Sequence, residues 1–151
     1  MRAFFDTSAF VKRYVEESGT DKVIEICRQA ENLVLSVICL PEMISTLNRL
    51  LREGKITTDD CQNTRDLILR EIEDVEICYL TPDVVARTIK CLENSPLRAM
   101  DALHLGCALM VEPDLFVSSD QRQIEAAKSE GLVWLEGFVA LIASGTTLLI
   151  N

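Results

Sequence analysis

The feature that most constrains this chain is an exchange of two hydropathy periods along its length. Short runs of consecutive apolar residues alternate with longer segments whose apolar residues fall three or four apart. The runs Arg2-Ala3-Phe4-Phe5, Asn32-Leu33-Val34-Leu35-Ser36, Val75-Glu76-Ile77-Cys78-Tyr79-Leu80 and Leu115-Phe116-Val117-Ser118 read as short buried strands, and Leu132-Val133-Trp134 is a further short candidate. Between them lie helical patterns. Leu40 to Arg52 sets Leu40, Ile44, Leu47 and Leu51 on one face and Glu42, Ser45, Thr46, Arg49 and Glu53 on another. Thr57 with Asp60 is a capping-box signal for a helix carrying Cys61, Thr64, Leu67, Ile68 and Ile72 inward. Thr81-Pro82-Asp83 opens another, with Val84, Val85, Thr88, Ile89 and Leu92 as its apolar positions. Strands alternating with helices predict βαβ units, hence an α/β fold around a mainly parallel sheet.

At 151 residues and 48% hydrophobic content the chain is the size of one domain with one core. No repeat or Pro/Gly/Ser-rich linker divides it, so residues 1–135 are expected to form that domain. The apolar segment 136–151, interrupted by Ser144-Gly145-Thr146-Thr147, is too short for a membrane span. It is expected to be an extension that packs on the domain or on a second subunit. The six cysteines form no C-x-x-C pair and lie in apolar stretches, which favours a reducing compartment over a disulfide framework or a zinc site. Nothing before Asp6 is long enough for a signal peptide, so a cytoplasmic location is expected. A net charge of -9 opposes tight non-specific binding to a polyanion. Any nucleic acid must therefore be held by local features.

Four acids stand out against that background. Asp6 directly follows the first strand and Asp120 follows a later one, so a parallel sheet brings both to its carboxyl edge, where α/β ligand sites form. Either could equally cap the helix after it. Asp101 opens the run Met100 to Val111, in which Asp101 and His104 are the polar side chains. A carboxylate there needs a cation, hydrogen bonds or a raised pKa; Arg98 is a nearby structural partner. Glu42, on the polar face of its helix, is unremarkable alone. Together the four make an oxygen-rich set suited to Mg²⁺ or Mn²⁺. His104 reads as a hydrogen-bonded core residue with no catalytic role.

In these segments the sequence resembles the PIN-domain nucleases, and within them the VapC-like toxins of toxin–antitoxin pairs. The resemblance is carried by Phe5-Asp6-Thr7-Ser8-Ala9 with Val11-Lys12, Pro41-Glu42 with Leu47 and Arg49, Leu97 to Leu105 around Asp101, and Phe116-Val117-Ser118-Ser119-Asp120, in series over about residues 3 to 135. It implies a three-layer α/β/α fold, with a central sheet flanked by helices, and a ribonuclease in which Asp6, Glu42, Asp101 and Asp120 hold Mg²⁺ or Mn²⁺. Ser8 and Ser119 would be supporting hydroxyls, and Lys12, Arg13, Arg49 and Arg98 are candidates for contact with RNA phosphate. It also implies a homodimer restrained by an antitoxin protein. Beyond Trp134 no family motif is found. Two rival readings remain: an inactive scaffold that binds protein, and a phosphotransferase with Asp6 as acceptor. The second lacks the further aspartate two residues after Asp6 and a paired lysine. An RNA-processing nuclease without an antitoxin is the remaining variant of the first reading.

Overall fold

The structure, a computed structural model, describes residues 1–135 and the backbone of 147–148. Five strands and seven helices occur in the first stretch: β1 (Arg2–Phe5), α1 (Thr7–Phe10), β2 (Val15–Glu16), α2 (Thr20–Gln29), β3 (Asn32–Ser36), α3 (Cys39–Arg52), α4 (Thr58–Glu71), β4 (Glu76–Cys78), α5 (Pro82–Asn94), α6 (Ala99–Val111), β5 (Leu115–Val117) and α7 (Gln121–Ser129). The main sheet has the order β4-β3-β1-β5. Every neighbouring pair in it is parallel, with Phe4 opposite Val34 on one side and Phe116 on the other. Trp134 adds a single parallel bridge beside Phe116. The expected α/β fold with a mainly parallel sheet is what the chain forms.

Strand alternation builds the three layers. Ala3, Phe5, Leu35, Leu115 and Val117 face one way and pack with Ala9, Phe10, Val23, Ile26, Met43, Leu47 and Ile68 from α1 to α4. Phe4, Val34 and Phe116 face the other way, against Val84, Cys91, Ala102, Leu105, Ala108, Ala126 and Ala127 from α5, α6 and α7. The Phe4 and Phe116 rings stack with centroids 6.0 Å apart. Full burial of each such ring is worth about 1.5–3 kcal/mol, so β1, buried on both faces, is the natural centre of the sheet.

The local start signals are realised. Thr57 and Asp60 form a reciprocal capping box at α4, and Thr81 caps α5 with Pro82 in its first turn. Two helix faces differ from expectation. In α3 the fully buried residues are Cys39, Met43, Leu47 and Leu50, while Leu40, Ile44 and Leu51 are only partly covered. The helix is rotated so that Cys39, Met43, Leu47 and Leu50 join the core, while Ile44 and Leu51 line a groove shared with Cys61 of α4. In α5 only Val84, Thr88 and Cys91 are buried; Val85, Ile89 and Leu92 remain 40–51% exposed. That helix packs chiefly on α6, and one helix covers only one stripe.

β2 has no strand-like run in the sequence; it pairs antiparallel with β6 (Thr147–Leu148), Val15 opposite Leu148. The remainder of the C-terminal segment, 136–146 and 149–151, lies outside the described residues, and with it most of the expected extension. Among the described residues the six cysteines are free thiols, and no helix is long and apolar enough to cross a membrane.

The α5–α6 seam depends on Gly106. A Cβ at that position would stand 2.3 Å from Thr88 Oγ1 and 3.1 Å from the backbone of both Thr88 and Val84. Backbone cannot retreat as a side chain can. Gly106→Ala is expected to destabilise the fold by about 1–3 kcal/mol, the usual range for overpacking. Thr88→Ala in the same chain should recover part of the loss, as measured by denaturant unfolding.

Candidate active site

β1 ends at Phe5, and the Asp6 backbone N–H continues its ladder to the Val117 carbonyl at 3.0 Å. Asp6 is 1% exposed. Its Oδ1 accepts from the Ala9 N–H at 2.9 Å, which makes it the N-cap of α1. Its Oδ2 accepts from Ser118 Oγ at 2.9 Å and Gln123 Nε2 at 2.7 Å. Ser8 Oγ lies within 2.9 Å of both oxygens. An isolated carboxylate at this depth would cost several kcal/mol, and these donors offset much of that. Burial still pushes the Asp6 carboxyl above its ordinary pKa, against the opposing effects of His104, Ser8, Ala9 and Ser118.

The other acids converge on the same edge from three helices. Glu42 sits in the first turn of α3, where His104 Nε2 donates to its Oε2 at 2.7 Å and Thr7 Oγ1 donates to the same oxygen. Burial raises the Glu42 carboxyl, but the His104 and Thr7 bonds outweigh it and hold the group below its ordinary pKa. His104 is 2% exposed, and its Nδ1 is hydrogen-bonded with Ser36 Oγ at 2.8 Å. Asp101 lies in the first turn of α6. Burial and the like charge of Asp120 raise its pKa, and among the described residues it forms no ion pair, Arg98 included. Asp120 caps α7 through the Arg122 N–H at 2.8 Å and pairs with the Arg122 guanidinium at 3.4 Å. For Asp6 and Asp120 the capping and cavity readings are therefore both met.

Asp6, Thr7, Ser8, Glu42, Ser45, Thr46, Asp101, His104, Asp120 and Gln123 together line a cavity of about 280 Å³. The structure brings all four predicted acids and Ser8 into it. Ser119 is not bonded to an acid: its backbone N–H donates to Ser8 Oγ and its own hydroxyl is buried without a partner, while Ser118 bonds Asp6. Lys12 is buried, donating from Nζ to the Ser18 carbonyl at 2.6 Å. Arg13 is engaged by Glu71 at 2.9 Å. Arg49 is exposed and pairs with Glu53 at 3.3 Å, and Arg98 is the residue before α6. None of these four lines the cavity.

Sequence reasoning missed Thr7, Ser118 and Gln123, and gave His104 a core role without its bond to Glu42. Gln123, three residues after a capping aspartate, carries a weak signal, because a polar residue there can look like part of a capping box. Nothing in the sequence separates Ser118 from Ser119.

No three His, Cys, Asp or Glu groups among the described residues stand close enough to form a ready-made ion site. The donor set nonetheless fits a hard divalent cation in kind. Its acids offer only oxygen, its imidazole is already engaged, and no lysine or arginine is among the residues that line the cavity, Arg122 reaching Asp120 from outside that lining. Since a water occupies roughly 30 Å³ of liquid volume, the cavity has room for an ion that keeps part of its hydration.

The family model of the PIN domain matches residues 3–129. Solved structures share the fold at low identity. The VapBC-1 complex of nontypeable Haemophilus influenzae superposes with a TM-score of 0.64 at 16% identity, covering 89% of this chain and 97% of that one. VapC20 of Mycobacterium tuberculosis, described as a Sarcin-Ricin loop cleaving toxin, gives 0.63 at 14%, covering 87% and 96%. A toxin-antitoxin complex from Klebsiella pneumoniae gives 0.62 at 14%, covering 81% and 89%. No curated protein matches the sequence.

A carboxylate whose folded pKa lies above its unfolded value of 3.8 detracts from stability once the pH rises through that window. Asp101→Asn removes this penalty. Its melting temperature at neutral pH, measured without metal, is expected to exceed that of the parent chain by a few degrees, with the difference shrinking as the pH falls below about 4.

Proposed function

We propose, from the premise that this chain belongs to the PIN-domain family, that it is a metal-dependent endoribonuclease, the toxin of a toxin–antitoxin pair. The observation that carries this reading is the convergence of Asp6, Glu42, Asp101 and Asp120 from four separate elements on one cavity that lysine and arginine do not line. Asp6, Asp101 and Asp120 would hold Mg²⁺ or Mn²⁺, directly or through water, and Glu42 would complete the set. When bound, the ion supplies an activated water and stabilises charge on the phosphodiester.

The chain's own residues prepare for that chemistry. Ser8, Ser118 and the Ala9 N–H fix the Asp6 carboxylate at the end of the central strand. The bonds from His104 and Thr7 both fall on Oε2 of Glu42, which leaves Oε1 to accept from a water and keeps the group ionised. Ser45 and Thr46, on the turn of α3 after Glu42, present hydroxyls at the cavity rim for the RNA backbone. With a net charge of -9, RNA must be held by the ion and a few cations at the periphery, for which Arg49 and Arg98 are the candidates. The neighbours described as toxin-antitoxin or VapBC complexes support a small antitoxin protein as partner. A cytoplasmic homodimer accords with the same reading, with the segment 136–151 as its extension.

Purified chain incubated with an RNA pool should cut it only when Mg²⁺ or Mn²⁺ is added. Asp101→Asn should lower the rate by at least about 100-fold, in keeping with the loss of a group that stabilises the transition state. Undiminished cutting by that variant would overturn the site. No cutting of any RNA, together with no thermal shift on adding metal, would instead point to an inactive protein-binding scaffold.

A further inference from the structure

Gln123 occupies the third position of α7 and is 2% exposed. Its Nε2 donates to Asp6 Oδ2 at 2.7 Å and makes a longer contact of 3.4 Å to Asp101 Oδ1. Its Oε1 is buried without a partner. The orientation of the amide follows from charge, since turning it over would set the carbonyl oxygen against two carboxylates. A buried carbonyl left unpaired costs about 1–3 kcal/mol.

Asp6 is not left unpaired without this amide. Asp6 Oδ2 already accepts from Ser8 at 2.8 Å and Ser118 at 2.9 Å, and α7 is capped by Asp120. An apolar side chain of the same size would fill the position without an orphaned oxygen. What Gln123 supplies is a neutral donor touching two acids that come from different elements, β1's end and the start of α6. A lysine there would join them too, but would cancel the charge that attracts a cation. An amide holds them and leaves that charge in place.

We propose that Gln123 is a positioning residue: its amide fixes the Asp6 and Asp101 carboxylates relative to each other so that both serve one divalent cation. This rests on the metal-nuclease reading above. Its contribution is to the geometry of the acids and not to contact with RNA.

The test uses Gln123→Met, which matches the side chain in length and lacks the donor. The metal-free chain is titrated with Mn²⁺ and the free ion is followed by electron paramagnetic resonance. The expected result is an affinity weakened by about 10-fold or more, the usual effect of removing a group that orients metal ligands. Its melting temperature without metal should be unchanged or higher, and in RNA cleavage kcat should fall while KM stays. Gln123→Asn, which keeps the amide but falls one methylene short, should also bind Mn²⁺ more weakly. Parent-like Mn²⁺ affinity in Gln123→Met overturns the proposal. So does loss of the fold in both variants, which would make the amide structural. If the parent chain itself binds no Mn²⁺, the reading beneath the proposal fails instead.

Discussion

A carboxylate buried at the end of the central strand organises this molecule. Asp6 leaves β1 where the strand is covered on both faces, and it cannot move toward water without breaking the ladder bond from its own N–H to Val117. Its charge must be met where it stands. Ser8 and the Ala9 N–H meet it from α1, Ser118 from the end of β5 and Gln123 from α7. Those bonds draw the β1 and β5 termini and two helix starts together. The cavity at the carboxyl edge is the space they enclose.

The acids around it carry structural work as well as the proposed chemistry. Asp6 and Asp120 cap helices, and Glu42 receives a buried histidine and a threonine. Asp101 has weaker support, the Arg98 backbone and a long contact from Gln123, and burial and Asp120 raise it. A site that concentrates like charge therefore bears a cost of burial at Asp6 and Asp101, while hydrogen bonds hold Glu42 ionised. Under the proposed function, repulsion of RNA acts over the surface, while the cavity is where a cation would reverse it.

Much of the fold was legible because its signals are local. The runs Arg2–Phe5 and Asn32–Ser36 became β1 and β3 with those bounds, and the threonine caps at 57 and 81 function as read. The rotations of α3 and α5 were not legible. Apolar periodicity says that a face will be buried, but which residues are buried depends on whether the neighbour is a sheet or a single helix. Strand order alone placed Asp6 and Asp120 at one edge, whereas Glu42 joined them through the family resemblance. Ser118 against Ser119 was decided by which hydroxyl the turn after β5 aims at Asp6, a matter of backbone direction that residue identity does not encode.

The sequence by itself determined the alternation of strands and helices, the parallel sheet that alternation requires, and the delivery of Asp6 and Asp120 to one edge of it. Only the tertiary structure decided which polar groups hold those acids. Lys12 and Arg13, basic and close to Asp6 in sequence, are directed to Ser18 and Glu71. Gln123 and His104, distant in sequence, reach the carboxylates. Hydrogen bonds act over about 3 Å, and such distances between remote residues exist only after the chain has packed.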